Sequence, residues 1–169
     1  MRAPQGPSGV GSAARAFTGF ALLVTAHFAI RPLFGSRVMV DFLVIAILFA
    51  AVRMRPGLAA VLGFALGVSV DALAPGAFGA ASLALTLIAF AASWLKAVFF
   101  ANHIALTGLF IFLGKWCFDA IYSLAGGGAR GVDLVVQLLL WTPLAAALTA
   151  TVAVLLLTLF RPLYRAQVA

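Results

Sequence analysis

Three residues at intervals of four, Gly63, Gly67 and Asp71, stand in the stretch GFALGVSVDALAPGAFG. That interval puts all three on one face of a helix. The glycines strip the face of side chains, so that another helix backbone can approach closely. The Asp71 carboxylate, one turn further on, is then aimed at whatever the glycines touch. Gly79 follows in a turn that leads into the next apolar run. The pattern predicts a close-packed helix surface, against a helix of the same chain or of another protein. In it Asp71 either fixes the adjoining turn or bonds a partner.

The other ionisable groups within or at the ends of apolar runs are His27, Arg31, Asp41, Lys96, Lys115 and Asp119. Each is expensive in a hydrocarbon environment, so each is expected to be paired, to reach the interface or to serve a function. Lys115 and Asp119 are four apart and share a helix face, which allows an internal ion pair. In a sharper reading, one of them pairs with Asp71 or Arg31 across helices and fixes a bundle. Arg31, Asp41, Lys115 and Asp119 together form a candidate intramembrane polar cluster. His27 shares a face with Arg31 and reads as a packed or interface residue rather than a proton relay, while Lys96 reaches the interface along its own stem.

No catalytic set emerges from these residues. Glutamate is absent, the two histidines are far apart in sequence, and no serine lies in a G-x-S-x-G context. The one cysteine, Cys117, rules out an intramolecular disulfide and a cysteine metal cluster. The expectation is a protein without enzymatic activity, metal or cofactor.

The elements that must carry these groups follow from composition. Hydrophobic residues make up 65% of the 169-residue chain, charged ones 9%, and the mean hydropathy is +1.19. Such a chain is an all-α integral membrane protein. Its runs are continuously apolar and too long for barrel strands. Six spans are expected near Ala16–Phe34, Val38–Val52, Gly57–Leu73, Ala81–Phe100, Ile104–Ala125 and Leu134–Phe160. The breaks fall at Arg31-Pro32, Gly35-Ser36, Arg55-Pro56-Gly57, Pro75-Gly76, Asn102-His103 and Gly126-Gly127-Gly128. Short breaks imply antiparallel neighbours. A single domain over residues 16–160 is expected, with a flexible cytoplasmic tail at 1–15 and a second cytoplasmic tail at 161–169. The first run reads as a retained signal anchor, since several spans follow it.

Net charge is +7, and the basic residues sit singly or in pairs at the ends of runs. They form no stripe with aromatics, which argues against nucleic acid and for membrane orientation. With the amino terminus inside, Arg2, Arg15, Arg53, Arg55, Lys96, Arg161 and Arg165 are cytoplasmic, and Arg31, Arg37 and Arg130 are outside. Both termini are therefore expected in the cytoplasm, with Asp41, Asp71, Asp119 and Asp133 all in the outer half. The sixth run, at 27 residues, is about 40 Å long against a core of about 30 Å, so it must tilt, kink or protrude. Pro143 supplies a kink site and Trp141 an interface anchor.

The opening stretch, read together with Asp41 at the head of a short apolar run and Arg55-Pro56 at the next break, resembles the rod shape-determining MreD family. Asp41, Arg55, Pro56, Gly63, Gly67, Asp71 and Gly79 match the family pattern, and the resemblance is carried by about Val38 to Lys96. One departure is Val40, where the family often has proline before the first aspartate. The resemblance implies a non-enzymatic, multi-pass scaffold of the bacterial cytoplasmic (inner) membrane. It implies that the chain binds MreC and, through it, MreB filaments, the glycosyltransferase RodA and its penicillin-binding transpeptidase in peptidoglycan synthesis. It also implies a six-helix fold similar to the S-components of vitamin transporters, although fold does not transfer substrate binding.

Two other functions fit the composition. A vitamin-binding S-component would need convergent polar groups near the outer face. The first run has only Ala21-xxx-Thr25 where such proteins often carry Ala-xxx-Ala for the energising module. A small secondary transporter would show repeated halves, and the stretch Gly63 to Asp71 has no convincing counterpart in the second half.

Overall fold

The computed structural model describes residues 9–34, 40–73, 77–95, 104–127 and 131–165; side chains in the first helix are described over 17–29 and in the last up to 159. Outside the described residues lie Arg2, Gly35-Ser36, Arg37, Pro75-Gly76, Lys96, Asn102-His103, Gly128 and Arg130, and the side chains of Arg15, Arg31, Pro32, Arg161 and Arg165. All described elements are helical. They are α1 (Gly9–Phe34), α2 (Phe42–Ala51), α3 (Pro56–Leu73), α4 (Ala80–Trp94), α5 (Ile104–Gly126), α6 (Val132–Val136) and α7 (Thr142–Arg165). A π-helical turn, Gln137–Trp141, joins α6 to α7 into one unbroken helical run. Three stretches, Pro56–Leu73, Ile104–Gly126 and Val132–Leu159, are long and apolar enough to cross a membrane.

The shortest of the main helices is the centre of the bundle. Leu43 to Leu48 and Ala51 of α2 are buried, and α2 touches α1, α3, α4, α5 and α7. Its uniformly apolar sequence suits burial on every side. At 10 residues it is about 15 Å long, roughly half the depth of a hydrocarbon core. Chemistry at both ends sets this length. Asp41 caps the start, its Oδ1 accepting from the N–H groups of Leu43 at 3.1 Å and Val44 at 3.3 Å. At the other end, Pro56 disfavours helical geometry at Arg55 and opens α3 at its first position, where a missing N–H is harmless. Ser93 of α4 ties this turn down by donating to the Met54 carbonyl at 2.7 Å.

Two helices depart from the expected bounds. The first begins at Gly9, inside the stretch read as a tail, where Ala13, Ala14 and Arg15 are good helix formers. The last run absorbs Pro143 through the π-helical turn rather than a simple kink. Thr142 N–H and Oγ1 both donate to the Gln137 carbonyl, the hydroxyl at 2.9 Å. The Leu138 carbonyl thereby loses the Thr142 N–H that a regular α-helix would supply, and Pro143, next along, has no N–H to give. Trp116 of α5 approaches that carbonyl, its Nε1 donating at 3.4 Å. The break in the last run is thus tied to α5, with which α7 packs extensively.

Candidate functional site

The most extensive helix pairing is α3 with α4. On α3, Ala59, Gly63, Gly67, Val70 and Asp71 form the buried face, at the spacing expected of one helix stripe. A Cβ placed on Gly63 would collide with the Leu85 carbonyl oxygen and lie 2.8 Å from its carbon. One placed on Gly67 would strike Ser82 Cα and lie 2.7 Å from Ser82 N. These contacts are with backbone, so no side-chain rotation relieves them. The glycine stripe receives α4 of the same chain.

Asp71 completes this joint. Its side chain is 1% exposed and accepts from Ala81 N–H at 3.0 Å, from Ser82 N–H at 2.9 Å and from the Ser82 hydroxyl. The residue that begins α4, Gly79, has φ +94 and offers no side-chain cap. Asp71 therefore supplies from the neighbouring helix the acceptor that Ser, Thr, Asp or Asn would ordinarily supply at the cap position. The positive end of the α4 dipole favours a carboxylate there. Gly79 takes the left-handed conformation that the tight entry into α4 requires.

The consequence for Gly67 is a specific expectation. In Gly67→Ala the added methyl meets backbone, so α3 and α4 must separate, with a loss of about 1–3 kcal/mol. A measured thermal unfolding temperature in detergent equal to that of the unaltered chain would contradict this packing.

A second joint gathers ionisable groups from three helices and a hydroxyl from a fourth. Asp41, at the head of α2, accepts from Lys115 Nζ of α5 at 3.2 Å and lies 3.2 Å from His27 Nδ1 of α1. Lys115 also reaches Asp119, one turn along α5, at 2.6 Å. The Asp41 N–H donates to Thr149 Oγ1 of α7 at 3.3 Å. Lys115 further lies 4.9 Å from the centre of the Phe118 ring. His27, Lys115 and Asp41 are buried or nearly so, with side-chain exposures of 5%, 7% and 15%, while Asp119 is 20% exposed. Every buried side-chain nitrogen and oxygen among the described residues has a hydrogen-bond partner, as a low-dielectric interior demands.

The sequence-predicted residues thus separate into two sites. Gly63, Gly67, Asp71 and Gly79 belong to the α3–α4 joint. Asp41, Lys115 and Asp119 meet in the second, and the cross-helix partner of Lys115 is Asp41. Asp71 belongs to the other joint, and the Arg31 side chain lies outside the described ones. Sequence reasoning did not place His27 in the cluster and did not find Thr149 or Trp116. For Thr149 the signal is its register with buried Thr142, Ala146, Ala150 and Ala153 on one face of α7. For Trp116 it is an indole one residue from Lys115, in a span opposite a proline-bearing helix.

Both joints use polar groups to fix helices to one another at chosen registers. Among the described residues no group of three or more metal-ligating side chains is assembled. Comparison with curated proteins and with solved structures finds no match. The profile of the family described as rod shape-determining protein MreD matches residues 13–166, nearly the whole chain. The chain belongs to the MreD family of rod shape-determining proteins.

Proposed function

We propose that this protein is a non-enzymatic scaffold of the bacterial elongation machinery, spanning the cytoplasmic (inner) membrane with both termini in the cytoplasm. In this reading it binds MreC, and through MreC it connects MreB filaments to RodA and its penicillin-binding transpeptidase, helping to control peptidoglycan synthesis. Membership in the family implies a role in rod shape determination. The observation that carries the scaffold reading is how the intramembrane polar groups are used. Asp71 is spent on the N-terminus of α4, and Asp41, Lys115 and His27 on holding α1, α2 and α5 together. A rigid body with little mass outside its helices recognises partners laterally, by helix packing.

The testing experiment is depletion of the protein in its native bacterium, with a pull-down from membranes. Rounded cells and recovery of MreC with the tagged chain are expected. Rod-shaped cells after depletion, with loss of vitamin uptake, would overturn the scaffold reading in favour of an S-component.

A further inference from the structure

The last helical run is packed along only part of its length. From Thr142 onward it lays one buried face on the bundle, through Thr142, Ala146, Thr149, Ala150 and Ala153. Before Thr142 lie α6 and the π-helical turn, five residues each, and none of their side chains is buried. Among the described residues, two hydrogen bonds tie this arm to α5. Trp116 Nε1 donates to the Leu138 carbonyl and Gln137 Nε2 to Ser123 Oγ, both at 3.4 Å. Apart from Asp133 and Gln137, the arm carries valine, leucine and tryptophan on every side. Turning it in lipid therefore exchanges one apolar face for another at little cost, and polar groups decide its orientation.

The π-helical turn offers those groups two arrangements. In the one observed, Thr142 N–H serves the Gln137 carbonyl five residues back, and Trp116 serves the Leu138 carbonyl. Thr142 Oγ1 reinforces it by donating to Gln137 at 2.9 Å. In a regular α-helix Thr142 N–H would serve Leu138, Trp141 N–H would serve Gln137, and Trp116 would lose its place. The regular arrangement carries its own cost, since Pro143 has no N–H for the Leu139 carbonyl. Trp116 and Thr142 thus compete for one carbonyl. Closing the turn into α-helix adds one residue's step, which rotates the arm by about 100° and shifts it about 1.5 Å along its axis.

We infer that Gln137–Trp141 is a conformational switch: the arm 132–141 turns between a state latched to α5 by Trp116 and Ser123 and a released state with a regular helix. The turn redirects Asp133 and Gln137, while the two polar joints, which lie elsewhere in the bundle, stay closed. Functional sites are where π-helical turns are frequently found.

The test uses the full chain in lipid nanodiscs with the exposed Cys117 replaced, Cys117→Ser, and spin labels on cysteines introduced at exposed positions. Val135→Cys with Val61→Cys reads the arm against α3, and Leu148→Cys with Val61→Cys reads the bundle. One dominant arm distance is expected from pulsed electron resonance on the otherwise unaltered chain. Trp116→Phe keeps a ring but removes the donor, and it is expected to raise the share of a second, discrete arm distance about fivefold, with the bundle pair unchanged. Ser123→Ala is expected to raise the same distance about twofold, and it decides the matter if Trp116→Phe disturbs the bundle pair. An arm distance unmoved by Trp116→Phe with the bundle intact, or unmoved by Ser123→Ala, would overturn the switch. A broad, featureless arm distribution beside an intact bundle pair would overturn it as well, because the arm would then fray rather than turn.

Discussion

Replacing Lys115 by methionine is expected to destabilise the bundle by about 3–5 kcal/mol, because breaking a buried ion pair leaves uncompensated charge. Methionine fills much of the same volume, so the loss comes from electrostatics rather than from a cavity. Asp41 and Asp119 would then face the space left by the ammonium, each having lost a partner at 3.2 Å and 2.6 Å. Asp41 would keep its caps on Leu43 and Val44, and its contact with His27. Asp119 has no such reserve among the described residues. Removing Asp119 together with Lys115 should therefore recover part of the loss. The double variant Lys115→Met, Asp119→Leu is expected to be more stable than Lys115→Met alone, with a coupling of about 0.5–3 kcal/mol. Equilibrium unfolding in detergent of the unaltered chain, the two single variants and the double variant measures this cycle. A Lys115→Met chain as stable as the original would show that the three charges are not held together as described.

The cluster also shows where sequence reading stops. The i, i+4 relation of Lys115 and Asp119 is local, so their pairing is legible from spacing alone. The approach of Asp41 to Lys115 joins residues 74 apart in sequence, and no periodicity contains that information. What brings them together is the shortness of α2, which ends inside the bundle and carries its capping carboxylate to the level of Lys115. Asp41 is legible as the opening of a short run. That it is both a cap and an ion-pair partner depends on how deep the helix start lies.

Helix identity follows directly from continuous hydrophobicity, and the α2–α3 break follows from Arg55-Pro56. The π-helical turn is less accessible. Pro143 announces a missing hydrogen bond, but whether a helix kinks, frays or widens depends on which neighbour can serve the freed carbonyl. Here Trp116 lies opposite Leu138, so the helix continues through the turn. The glycine stripe is legible as a close-packed surface, but Gly-xxx-Gly specifies only that a backbone comes near. Its occupant is α4, and the sequence holds a clue to that. The run after Gly79 starts Ala80-Ala81-Ser82, with no capping residue at its head, and Asp71 is the nearest carboxylate.

Asp71→Ala is accordingly expected to destabilise the protein by about 2–4 kcal/mol, since it leaves two buried N–H groups at the start of α4 without their acceptor. The size of the effect should track the number of donors abandoned. Ser82→Ala removes a hydroxyl and leaves both backbone bonds to the carboxylate intact, so about 1 kcal/mol is expected. Asp71→Asn should fall between the two, because its amide has a single acceptor oxygen and must point N–H groups toward the other donor. This ordering separates the alternatives for Asp71 in the cell. If the carboxylate serves the α4 N-terminus, Asp71→Ala cells should lose rod shape in proportion to a fall in the amount of folded protein in the membrane. Raising expression should then restore rods. If Asp71 instead met a partner, the purified chain would unfold at its usual temperature, the protein level would be normal, and extra expression would not help. The geometry favours the first outcome, because the carboxylate is enclosed between α3 and α4 and both of its oxygens are engaged there.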